Sequence, residues 1–94
     1  MLAVRVVVRG RVQGVGFRAW VVQRATELGI SGQVANRADG SVGVEGVGAR
    51  GALERFVAAL RVGPTHARVE QVEEEWFERE GAPRGGVHGF HITR

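Results

Sequence analysis

Val4-Arg5-Val6-Val7-Val8-Arg9-Gly10-Arg11-Val12-Gln13-Gly14-Val15-Gly16-Phe17-Arg18 decides how this chain folds. Leading into it, Leu2, Val4, Val6 and Val8 share one face, while Ala3, Arg5, Val7 and Arg9 share the other. That alternation predicts a strand with one buried face. From Phe17 the period changes: Phe17, Trp20, Val21, Ala25 and Leu28 fall on one helical stripe, and Gly29 can end the helix. Arg24 lies on that stripe and needs a partner or an exit to water. Between strand and helix sits a glycine-rich turn that ends in Arg18. A strand, a loop and a helix N-terminus aim free backbone N–H groups at one point. Arg18 adds a planar charge that can grip two oxygens at once. The expectation is a small oxyanion site, suited to phosphate.

The remaining chain supplies the partners of this unit. Residues 30–36 read as a second strand, Arg37-Ala38-Asp39-Gly40 as a turn, and residues 41–47 as a third strand. Leu53, Phe56, Val57 and Leu60 recur at helical spacing, and Gly63-Pro64 stops that helix. Residues 67–77 form a fourth strand whose phase breaks between Val69 and Val72, the mark of a bulge. Residues 81–86 read as loop and residues 87–93 as a final strand. The predicted class is α+β: a ferredoxin-like α/β sandwich, β-α-β-β-α-β with an additional C-terminal strand. Its antiparallel sheet carries both helices on one face.

Ninety-four residues suit one domain with a single core, spanning 1–94. With no cysteine, disulfides, thiol catalysis and zinc–thiolate sites are excluded. All 13 basic residues are arginine, and without lysine neither a Walker A loop nor Schiff-base chemistry is available. A net charge of +3 gives little reason to expect a nucleic-acid partner. No stretch is long or apolar enough to span a bilayer, and the first residues lack a signal-peptide layout. The expected protein is cytoplasmic and monomeric, with no membrane or nucleic-acid partner. His66, His88 and His91 show no metal-ligand spacing, and Glu73-Glu74-Glu75 reads as the solvated end of a strand.

Residues 10–18, together with Gly32-Gln33-Val34-Ala35-Asn36-Arg37-Ala38-Asp39-Gly40-Ser41-Val42, resemble the two signatures of the acylphosphatase family. Two motifs at the right separation, within the right element order, make the resemblance specific over residues 3–77. It implies a hydrolase that needs no metal or cofactor and splits small acyl phosphates into a carboxylate and inorganic phosphate. It also implies that Arg18 binds phosphate and Asn36 holds the attacking water. The amides of Gln13, Gly14, Val15, Gly16, Phe17 and Arg18 would cradle the phosphate. Two positions depart from the family pattern: Ala38 stands where bacterial members often carry proline, and Arg37 where many animal members carry threonine.

Duller readings exist for each residue. Arg18 alone could pair with a surface carboxylate, and Asn36 could simply bond its own turn. The glycines could serve only the tight connection. Two whole-protein alternatives share the fold class: an RNA-binding domain, and a carbamoyl-phosphate-handling module such as those that front large hydrogenase-maturation proteins. The first would need aromatic residues on the first and third strands, which have none. The second is less expected, because no zinc-finger or transferase segment follows within the sequence.

Overall fold

Valine alternation and two amphipathic stripes produce the elements in the anticipated order. The computed structural model describes residues 1–80 and 89–93. They form β1 (Leu2–Arg11), α1 (Phe17–Glu27), β2 (Ser31–Asn36), β3 (Val42–Val47), α2 (Arg50–Val62), β4 (Arg68–Glu78) and β5 (Phe90–Ile92). The sheet order is β4-β1-β3-β2-β5. The four long strands pair antiparallel, as expected, but β5 joins β2 in parallel, so the sheet is mixed. The start of the anticipated last strand, Val87 and His88, and the loop at 81–86 lie outside the described residues.

Val4, Val6 and Val8 of β1 turn to the core and meet Val34, Val42 and Val44 from β2 and β3. Both helices cover that same face. α1 contributes Phe17, Val21 and Ala25, and α2 contributes Leu53, Phe56, Val57 and Leu60. Trp20 and Leu28 flank this core half-buried. Phe90 of β5 closes one end edge-on against Phe56, ring centroids 5.7 Å apart. Arg24 takes the exit to water: its head lies 3.5 Å from Glu27, while its Nε is buried without a hydrogen-bond partner among the described residues.

The opposite face carries charge. Arg5 bridges Glu45 and Glu75, and Arg9 bridges Asp39 and Glu73. Glu73 and Glu75 therefore sit within β4 on the open face, not at a solvated strand end. Glu74 points the other way, to Arg61 of α2 and the indole N–H of Trp76. These two contacts, the indole bond first, hold its carboxyl below the usual glutamate range.

The bulge falls where the sequence phase breaks. Arg9 faces Gln71 but Gly10 faces Val69, so Glu70 is the extra residue of β4. Gly10 adopts φ 132°, and a Cβ there would stand 2.1 Å from the Arg68 carbonyl oxygen. Only glycine tolerates both conditions. The bulge bends β4 beside the point where β1 runs on to the loop at 12–16. Gly10→Ala is expected to cost about 1–3 kcal/mol of stability, seen as a lower urea midpoint at unchanged slope. A midpoint equal to that of the parent would contradict this geometry.

Candidate phosphate-binding site

Side-chain period and strand register together bring two distant segments side by side. Val6, Val44 and Val34 form one row across β1, β3 and β2; the next row is Val8, Val42 and Asn36. Asn36 is thus the core-face residue at the end of β2, one row beyond buried Val34. β1 leaves the sheet at that same end and turns into the loop that opens α1. Asn36 itself is exposed there.

The loop is shaped by Gly14 and Gly16, at φ 75° and 77°. The requirement is conformational, since a Cβ at either would meet no protein atom within 4 Å. Gly16 is the N-cap of α1, with no side chain capping the helix and no acidic residue in its first turn. Among the described residues, none of the amide hydrogens from Gln13 to Ala19 is donated to a backbone carbonyl. These donors and the positive end of the helix dipole favour an anion. Phe17 anchors the arrangement: it is 1% exposed, and its burial contributes about 1.5–3 kcal/mol.

A cavity of about 150 Å³ opens at this point, lined by Val12, Gly14, Gly16, Phe17, Arg18, Ala19, Asn36 and Ile92. The structure therefore brings together Arg18 and Asn36, with Gly14, Gly16 and Phe17 of the anticipated cradle. Gln13 and Val15 do not line it. The Gln13 side chain turns to the hairpin, and Val15 packs against the core. Val12, Ala19 and Ile92 were not singled out from sequence. Val12 lies within the loop motif and Ala19 borders it, so both could have been. Ile92 reaches the cavity only through the pairing of β5 with β2, opposite Val34, which no local pattern announces.

The hairpin behind Asn36 is held from both sides. The Arg37 amide donates to the Ser41 carbonyl at 2.8 Å, and the Gly40 amide to the Arg37 carbonyl at 3.1 Å. This is a turn closed by a left-handed glycine, at φ 91°. Asp39 accepts from the Ser41 amide and hydroxyl and from Arg9. The Ser41 contacts, then Arg9, hold its carboxyl far below the usual aspartate range. Ala38 is exposed at the turn, and Arg37 contributes its backbone to the closure.

His66 and His91 are exposed, and His88 lies outside the described residues. Among the described residues, no three His, Asp or Glu side chains gather as a metal site would require.

Comparison with known proteins bears on the whole chain. A sequence model of the acylphosphatase family matches residues 4–92. An acylphosphatase of Thermus thermophilus is 48% identical over 85 residues, covering 90% of this chain and 91% of that protein. One of Rhizobium etli is 49% identical over 91 residues, covering 97% and 93%. The crystal structure of the acylphosphatase from Bacillus subtilis superposes with a TM-score of 0.88 at 36% identity, covering all of both chains.

The depressed Asp39 carboxyl predicts an acid limit on the hairpin. Its stabilising effect is complete above the unfolded value of about 4 and is lost as pH falls toward the folded value. The difference in urea midpoint between the parent and Asp39→Ala should be present at neutral pH and shrink below about pH 4. A gap that widens on acidification would contradict the assignment.

Proposed function

The chain belongs to the acylphosphatase family and is an acylphosphatase, a hydrolase of small acyl phosphates; from that premise we propose that the loop amides, Arg18 and Asn36 carry its reaction. The amides of Gly14, Gly16, Phe17 and Arg18, which line the cavity, receive the phosphoryl oxygens, and the Arg18 guanidinium grips two of them. Asn36 holds the water. Its amide takes up no proton near neutral pH, but its carbonyl can accept from water and its NH₂ can donate. The water oxygen attacks phosphorus, the bond from phosphorus to the carboxyl oxygen breaks, and a carboxylate leaves. The proton released by the water passes to a phosphoryl oxygen of the substrate.

The chemistry suits so spare a site. A carboxylate is stable as an anion at neutral pH, since carboxyl pKa values lie near about 4, so little general-acid help is needed. Loose phosphoryl transfer asks mainly for positioning and charge stabilisation. In this reading no metal or cofactor takes part. The observation that carries the reading is the convergence of uncommitted loop amides, Arg18 and Asn36 on one small cavity. The RNA-binding alternative is not favoured: β1 and β3 carry no aromatic residue on which a base could stack. No described helix is long and apolar enough to cross a membrane. The same reading has the enzyme working as a cytoplasmic monomer without a nucleic-acid partner.

Benzoyl phosphate should be hydrolysed at the same rate with and without EDTA; loss of turnover on chelation would overturn the metal-free reading. Arg18→Ala should raise KM and lower kcat/KM by about 10²–10³-fold, the scale of a lost electrostatic anchor. Asn36→Ala should lower kcat while inorganic phosphate still inhibits competitively. Intact turnover with lost phosphate inhibition would contradict the role given to Asn36.

A further inference from the structure

Gln13 is expected from the sequence only as a backbone donor, yet its side chain bridges the loop and the hairpin directly. Its Nε2 donates to the Arg37 carbonyl at 2.9 Å and to the Ser41 carbonyl at 2.9 Å. A primary amide has two hydrogens, and both go to carbonyls that each also accept one hairpin amide, Arg37 from Gly40 and Ser41 from Arg37. Arg37 and Ser41 are the residues that close the hairpin, and Arg37 directly follows Asn36. Gln13 itself is half-buried and Ser41 is 2% exposed, so water competes poorly for the bond to Ser41, while the bond to Arg37 lies at the surface. On the far side, Arg9 holds Asp39 at 3.0 Å, so the hairpin is pinned from the open face as well.

We propose that the Gln13 side chain is a positioning residue that fixes the spacing between the phosphate loop and Asn36, and with it the line along which the water approaches phosphorus. The inference rests on the roles proposed for the loop and Asn36. Gln13 belongs to the phosphate-holding segment by its backbone and to the water-holding segment by its side chain. A rigid link of this kind matters because small errors in the approach geometry are costly: a displacement of about 1 Å can cost on the order of 100-fold in rate. The link also explains how the second motif works with Arg37 and Ala38 in it. Gln13 grips the carbonyl of Arg37, which any residue at that position would supply.

The test is a double-mutant cycle on benzoyl phosphate hydrolysis with the parent, Gln13→Ala, Asn36→Ala and the double variant. Inhibition by inorganic phosphate is measured alongside, and urea midpoints show that each variant is folded under assay conditions. Gln13→Ala should lower kcat by about 10- to 100-fold while the inhibition constant of phosphate moves by less than about 3-fold. In the Asn36→Ala background the same change should cost less than about 3-fold, because nothing remains to be positioned. Gln13→Met, similar in length but without donors, should behave as Gln13→Ala and so exclude lost packing as the cause. Equal costs in both backgrounds, or unchanged kcat in Gln13→Met, would overturn the positioning role alone. Turnover at the parent rate in Asn36→Ala would overturn the site assignment and this inference together.

Discussion

One register governs the molecule. Val6 lies against Val44 and Val44 against Val34, which places Val8, Val42 and Asn36 in the row beyond. Side chains alternate across a sheet with a period of two, so a slip of one residue in β2 would turn Val34 to the open face and Asn36 with it. The buried valine row therefore fixes the direction of Asn36 as firmly as it fixes the core. The open face reinforces the same register with Arg5 and Arg9, each placed between two carboxylates. Exposed pairs of this kind contribute little energy, but opposite charges across neighbouring strands disfavour the wrong alignment.

The loop depends on that register as well. β1 delivers the chain to the end of the sheet where Asn36 emerges, and the bulge at Glu70 bends the neighbouring β4 there. Phe17 then drops into the core and fixes where α1 begins. With both ends held, the loop spends no core residue of its own on the site beyond Val12 and Phe17. Two left-handed glycines leave its amides pointing outward, and a helix without a cap or an acid in its first turn adds positive potential. In the proposed reading the anion site is built from backbone, and a single arginine completes it.

The sequence was legible where the signal is periodic or conformational. The valine alternation of β1, the stripe of α2 at Leu53, Phe56, Val57 and Leu60, and the phase break near Val69 all reappear as structure. Gly14, Gly16 and Arg18 read locally as a loop suited to an anion, whereas Asn36 stood out only through the resemblance to the family's second signature. Less legible was anything set by long-range pairing. The parallel docking of β5 and the arrival of Ile92 at the cavity depend on β2, which lies more than fifty residues away in the chain. Glu73 and Glu75 looked like a solvated end because their arginine partners are on another strand.

By itself, the sequence determined the class of each element, the loop's need for glycine, and the chemistry available: arginine and asparagine, without cysteine or lysine. These follow from local sterics, periodicity and side-chain inventory, which are properties of short segments. Only the tertiary structure decided how those segments meet. It set the sheet order that carries Asn36 across β3 to the end of β1, and the fifth strand's direction. It also decided that the Gln13 side chain faces the hairpin and not the cavity. Such outcomes depend on which distant carbonyl or apolar row lies within reach, and the assembled sheet alone supplies that distance.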